Sequence, residues 1–247
     1  MKKLYLYSFA LVMISALSMS SIPVSAQEDN TLFCSGLAGR EQNKLDKFTS
    51  QKSAKNDRFA AQDQTRFTAR ARADADRKIY RDGLDRAFTA EINILLKLAG
   101  DNEGKKKAVM DFQVAITAIR TTRRSTVDSV RSTFHVEKDQ IITTRRNGVS
   151  AALDARTKAF QDAFAKAKAD CTTRPSADVD AELKVALDAA RTAFRTAVDK
   201  AIQDAQTALT EAKTKRNTAI KAATDTAQAG RQKAKQDFRT AWDAAGE

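Results

Sequence analysis

After residue 26 the chain contains a single proline, Pro175. That fact limits the fold more than any motif, because proline and glycine are the residues that turn a chain. Glycine is also scarce, with 8 in 247 residues, and two of them frame the polar stretch Gly100-Asp101-Asn102-Glu103-Gly104. A β-sandwich or a loop-rich α/β enzyme needs many more turns than this. Two segments qualify as turns. One is 100–104, after the apolar run Ile92 to Ala99. The other is Thr172-Thr173-Arg174-Pro175-Ser176, where Ser176 or Asp178 is expected to cap the following helix. The spacing predicts three long helices, at about 30–99, 105–171 and 177–245. Gly83, Gly148 and Gly230 stand alone inside these stretches. Each costs about 1 kcal/mol relative to Ala and marks a candidate bend rather than a domain boundary.

The apolar pattern has a period of eleven. In the third segment it runs through Leu187, Val198, Leu209, Ile220 and Trp242, with Arg231 the one exception. Beside it lie Ala190, Ala201, Ala212, Ala223 and Ala234 without interruption, and Leu183, Phe194, Ala205, Ala227 and Phe238, interrupted by Arg216. The second segment repeats the pattern with Ile119, Val130, Ile141, Ala152 and Ala163. A heptad fails, because from Ala190 it reaches Asp204, Glu211 and Thr218. Eleven residues in three turns is close to a straight helix with a slight right-handed supercoil. The first segment is less regular. It has Leu37, Phe48 and Phe59, then Leu84, Phe88, Ile92 and Leu95, around a polar middle from Lys52 to Lys78. Short turns between long amphipathic helices favour antiparallel neighbours. The expected fold is therefore all-α: an elongated antiparallel three-helix rod, roughly 100 Å long for 67 residues per helix.

Residues 1–26 read as a signal peptide. Lys2 and Lys3 precede the apolar stretch Leu4 to Met19, and Val24-Ser25-Ala26 offers small residues for cleavage before Gln27. An uncleaved anchor is the alternative, although the apolar stretch is shorter than the roughly 20 residues that span a bilayer. A lipoprotein fits poorly, since Phe33 precedes Cys34 where a small residue is needed. Cleavage leaves 27–247 as one elongated helical domain in an extracytoplasmic compartment: secreted, periplasmic or at the cell surface.

In such an oxidising setting two cysteines are normally joined. Cys34 and Cys171 lie 68 residues before and 69 after Asn102, the middle of the first turn. An antiparallel hairpin brings them level, which predicts a disulfide clamping its open end. An up-down-up course returns the end of the third helix to the first turn. Phe238 and Trp242 are expected to pack there against Leu95, Leu96, Val109 and Phe112. The most apolar region is thus placed at one tip and the disulfide at the other.

Chemistry-bearing motifs are few. His135 is the only histidine and follows Phe134, which places it at the edge between core and solvent. One His and two Cys do not supply a four-ligand zinc site. No Gly-rich phosphate loop or nucleophile elbow occurs. Neither a catalytic set, nor a metal, nor a cofactor is expected. The charge is more informative. The whole chain carries 43 basic and 31 acidic residues, a formal +12. Removing Lys2 and Lys3 leaves +10. Residues 100–174 hold the excess, with 15 basic against 9 acidic side chains. Thr121-Thr122-Arg123-Arg124 recurs two elevens later as Thr143-Thr144-Arg145-Arg146. Arg120, Arg123, Arg124, Arg131, Arg145 and Arg146 are accordingly candidates for binding an anionic envelope polymer or acidic lipid headgroups. Aromatic residues do not interleave with them, which argues against nucleic acid.

Three resemblances follow from quoted segments. Thr226 to Gln236 (TAQAGRQKAKQ) resembles one eleven-residue repeat of late-embryogenesis-abundant proteins. The 22-residue echo is similar to the repeats of exchangeable apolipoproteins, which implies a lipid-associated protein that opens its seam. In layout the chain resembles exported Ala/Arg-rich helical proteins of bacteria, through phrases such as Ala189 to Arg195 (AARTAFR) and Phe238 to Trp242 (FRTAW). These imply the rod but bring no assigned activity. The leading expectation is a non-enzymatic structural or interaction protein, with a protein or anionic polymer as partner. Membrane contact is limited to the signal segment or the surface, and a homo-oligomer is open.

Overall fold

The computed structural model describes the backbone of residues 24–246 and the side chains of residues 32–246. It consists of three helices: α1 Val24–Ala99 (76 residues), α2 Glu103–Asp170 (68 residues) and α3 Ser176–Ala244 (69 residues). No strand occurs among the described residues. The expected all-α rod is the observed one, and each helix is about 100 Å or more in length. Residues 1–23, most of the expected signal segment, lie outside the described residues. Val24-Ser25-Ala26 already belong to α1, which begins earlier than the expected position near 30.

Both turns lie where the glycines and the proline place them. Gly100 takes a left-handed φ of +56° that ends α1. Asn102 caps α2, its side chain accepting from the Lys105 N–H at 3.0 Å. The same side chain donates to the Ala245 carbonyl at 2.7 Å and so ties the end of α3 to the first turn. The second turn departs from expectation. Pro175, not Ser176 or Asp178, holds the N-cap position, and both of those residues lie within the helix. Proline's fixed φ starts the helix without a side-chain cap. The turn is braced instead by charge. Arg174 and Lys166 both bind Glu182, at 2.5 and 2.9 Å, and both also reach Asp170.

The two interhelical seams differ. Along α2 and α3 the backbones approach closely, because small residues face each other. A Cβ built on Gly148 would meet the Ala201 Cβ at 3.1 Å, and one on Gly230 would meet Ile119 at 3.2 Å. Gly104 does the same against Ala245 at 2.8 Å. Gly148 and Gly230 therefore serve as contact points between helices that run on through them unbroken. Around Gly83 on α1 there is open space. The unbroken alanine series lies on this seam, with Ala190, Ala212 and Ala234 buried and Ala201 and Ala223 half-buried.

α1 stands further from α2 and meets α3 at few points. Its ends are anchored by apolar clusters. Phe88 and Ile92 pack with Val109, Phe112, Ile116 and Ala234, and Leu95, Leu96, Phe238 and Trp242 close around them as expected. The disulfide end has its own core, larger than the one at the first turn, contrary to the expectation that the most apolar tip lies at that turn. Leu37 and Phe48 pack with Phe160, Phe164, Val179, Leu183 and Leu187. Cys34 and Cys171 are joined, with their Cα atoms 5.9 Å apart. Burying Phe160 and Phe164 requires a third helix, so Val179 to Leu187 of α3 complete a core that the hairpin alone lacks.

Between Phe48 and Phe88 no side chain of α1 is fully buried. The eleven-residue stripe continues there with different chemistry: Leu37, Phe48, Phe59, Arg70, Arg81, Ile92. Arg70 pairs with Asp139 in two bonds of 2.7 and 2.8 Å, and Arg81 pairs with Asp128 in two of 2.7 Å. Flanking them, the polarity reverses. Arg124 of α2 grips Asp85 and Arg146 grips Asp63, each through two bonds of 2.7–2.8 Å. Steps of 7, 11 and 4 residues along α1 (63, 70, 81, 85) match the same steps backward along α2 (146, 139, 128, 124). All four rungs therefore share one register. Flat guanidinium–carboxylate forks span a gap that alanine would leave open.

Candidate anion-binding cavity

Beside the Arg124–Asp85 rung, at the edge of the apolar tip, the three helices line a half-open cavity of about 560 Å³. Its floor is apolar and comes from α2: Phe112, Ile116 and Val127, all buried. Its walls are cationic. α1 contributes Arg77 and Arg81, α2 contributes Arg120, Arg123, Arg124 and Arg131, and α3 contributes Arg231 and Lys235 at the exposed rim. One carboxylate, Glu91, is among the lining residues. The eleven-residue spacing explains why they share one face. Arg120 and Arg131 are one step, about 16 Å, apart on α2, and Arg231, at the stripe position between Ile220 and Trp242, lies near Arg120.

These cations fall into two groups. Arg81 and Arg124 are satisfied. Bidentate bonds to Asp128 and Asp85 hold their pKa values above the ordinary one and hold the two carboxylates below theirs. Arg77 pairs with Asp74 beside it. The second group lacks such partners. Arg120 lies over the Phe88 ring at 4.1 Å, reaches Asp85 only at 3.6 Å, and its buried Nη1 makes no hydrogen bond. Burial first, then the nearby Arg231 and Arg124, push its pKa down against the pull of Asp85. Arg131 is pushed down by burial and by Arg77, Arg81 and Arg123, with Asp128 opposing. Arg123 has one long bond, 3.4 Å to Thr224 Oγ1. Eight cations face Glu91 and the three carboxylates Asp74, Asp85 and Asp128 paired to the wall from outside, which leaves four positive charges uncompensated. Arginine remains charged throughout. The arrangement can therefore hold a multiply charged oxyanion.

No family model, no curated protein and no solved structure matches this chain.

Of the six arginines singled out in the sequence, Arg120, Arg123, Arg124 and Arg131 come together here. Arg145 and Arg146 lie about 33 Å along the rod from Arg123 and Arg124. Arg146 is a rung of the ladder, also donating to the Phe59 carbonyl and lying 4.5 Å from the Phe59 ring centroid. Arg145 faces the other way, into an alanine-lined groove between α2 and α3. The repeated pair thus divides its two arginines between two neighbours. Sequence reading missed Arg77, Arg81, Arg231 and Lys235. Arg231 left a signal, as the single charge in an otherwise apolar series of elevens. His135 is half-buried near the Arg70–Asp139 rung, and burial together with Arg70 pushes its pKa down.

Among the described residues no group of His, Cys, Asp and Glu is placed to hold a metal ion, and no helix is long and apolar enough to cross a membrane.

Proposed function

We propose that the protein is a non-enzymatic, extracytoplasmic rod that spaces or scaffolds partners at the cell envelope. The observation that carries this reading is the fastening of one long shape at three levels. A disulfide and an apolar core hold one end, an apolar cluster and the Asn102–Ala245 tie hold the other, and an ion-pair ladder holds the middle. A disulfide suits an oxidising compartment, which supports export.

The test is a fractionation of producing cells with non-reducing peptide mapping, followed by crosslinking of the exported chain. The expected result is an extracytoplasmic protein starting at Gln27, with Cys34 joined to Cys171 and with crosslinks to envelope components. A cytoplasmic, reduced protein ends the proposal.

A second reading is favoured by the cationic cavity: a basic protein that docks on an anionic envelope polymer or lipid. Replacing Arg123, Arg124, Arg145 and Arg146 together would be a poor test of it, because Arg124 and Arg146 also hold α1. Substitutions at Arg131 and Arg231 leave the ladder intact.

A further inference from the structure

The cavity allows the second reading to be narrowed from a charged surface to a site with a ligand class. Three features define what fits. Four uncompensated positive charges around one volume demand more than a single negative charge. Seven of the eight wall cations are arginines, whose planar forks match the oxygens of phosphate and carboxylate in pairs. The cavity, at about 560 Å³, is several times larger than one phosphate group, and its floor of Phe112, Ile116 and Val127 offers the remaining space to an apolar body.

Resting on that reading, we propose that this cavity binds a multiply charged phosphate ester or diphosphate, its phosphate oxygens taken by Arg120, Arg123, Arg131 and Arg231 and its apolar portion laid against Phe112 and Ile116. Arg120 is pre-oriented for the role. The Phe88 ring beneath it and Asp85, 3.6 Å from its buried Nη1, fix the guanidinium. Arg131 and Arg231 have no hydrogen bond or ion pair to lose among the described residues, so an arriving phosphate displaces no carboxylate from them. Lys235 at the exposed rim adds a further positive charge on the approach. An anion also relieves the mutual repulsion of Arg120 and Arg231, and of Arg131 with Arg77 and Arg123, that the folded chain otherwise carries. Ligand binding therefore stabilises the junction between the ion-pair ladder and the apolar cluster that anchors α1.

The phosphate can come free in solution or as a lipid headgroup, and the experiment separates these sources. The full oxidised chain is titrated calorimetrically with pyrophosphate, and separately with vesicles containing phosphatidic acid. Three variants are run in parallel: Arg131→Gln, Arg231→Gln, and Arg145→Gln outside the cavity. The expected result is saturable pyrophosphate binding at one site, weakened about tenfold or more by Arg131→Gln and by Arg231→Gln, the worth of one charge-assisted contact. Arg145→Gln leaves it within twofold. Raising salt from roughly 50 to 200 mM weakens it steeply. Vesicle binding that pyrophosphate releases assigns the site to a lipid headgroup, and pyrophosphate binding without vesicle binding assigns it to a free phosphate.

Three results overturn the proposal, the last two with the same meaning. One is no heat with either probe at low salt, which ends the docking reading as well. The others are binding weakened equally by all three variants, and vesicle binding that neither pyrophosphate nor Arg231→Gln reduces. Either of these keeps a diffuse basic surface and removes the cavity.

Discussion

The seam between α2 and α3 and the seam between α1 and α2 solve one packing problem in opposite ways. At the first, Gly148, Gly230 and a run of alanines let two backbones come close, so dispersion and apolar burial hold them with little dependence on moderate salt or pH. At the second, Arg70, Arg81, Arg124 and Arg146 reach across a wider gap to carboxylates that keep between a third and a half of their side-chain surface in water. Such pairs weaken with salt and acid. The rod is thus a tight two-helix spine to which α1 is fixed by apolar clusters at its ends and, between them, by ion pairs that the surroundings can loosen.

The disulfide offers the largest way to break this contrast. Cys171 belongs to the spine and Cys34 to the fastened helix, so reducing the bond frees the start of α1. Chain entropy for a loop this long sets an upper value of about 5 kcal/mol. Hydrogen exchange after reduction, or in Cys34→Ser, is expected to speed up in α1 well before α2 and α3. Equal acceleration in all three helices would mean that the seams are equivalent.

Next in size is crowding of the spine. Gly148→Leu forces a side chain where a single Cβ already lies 3.1 Å from Ala201, and is expected to cost about 1–3 kcal/mol in thermal unfolding. The same type of site on α1 should respond in the opposite sense. Gly83 has open space around it, and Gly83→Ala is expected to stabilise by about 1 kcal/mol through helix propensity.

Single rungs have smaller effects. Arg70→Ala should cost about 1 kcal/mol, fading in high salt, while Arg70→Asp combined with Asp139→Arg should recover most of the loss. The pH dependence has a definite sign. Asp85, Asp128 and Asp139 are each held below the ordinary value of 3.8, chiefly by their arginine bonds. Their contribution is complete above that value and is lost as pH falls through the lower folded ones. Acid should therefore release the middle of α1 first, and an α1 that outlasts the spine in acid would contradict the assignment of the seams.

The three helices and both turns were legible because the alanine period, Gly100, Gly104 and Pro175 report on backbone geometry directly, whereas Gly148 and Gly230, read as candidate bends, are contact points of the α2–α3 seam. The disulfide was legible because counting from Asn102 needs only the hairpin. The middle of α1 was not, for a physical reason. A search for apolar periodicity treats arginine as a gap, yet Arg70 and Arg81 keep the step of eleven that links Phe59 to Ile92. The 22-residue echo of Arg124 and Arg146 was visible, but its counterpart, Asp63 and Asp85 at the same interval on another helix, acquires meaning only once the pairing is known. The cavity was harder still, since its wall draws on all three helices. Pro175 as a bare N-cap shows that a fixed backbone angle can replace the expected Ser176 or Asp178 cap.

The alternation of charge along the ladder acts as a key against misalignment. A seam that repeats every eleven residues can slide by eleven or twenty-two and still find apolar partners. The rungs cannot. A slide of eleven sets Arg70 opposite Asp128 or Arg81 opposite Asp139 and leaves the other three positions unmatched. A slide of twenty-two likewise keeps one pair, Asp85 with Arg146 or Asp63 with Arg124. Placing all the arginines on one helix and all the aspartates on the other would leave these counts unchanged, because the uneven steps of 7, 11 and 4 set them. Reversing polarity between the outer and inner rungs guards against shorter slides: one of four residues sets Asp85 opposite Asp128 or Arg81 opposite Arg124, and one of seven sets Asp63 opposite Asp139 or Arg70 opposite Arg146.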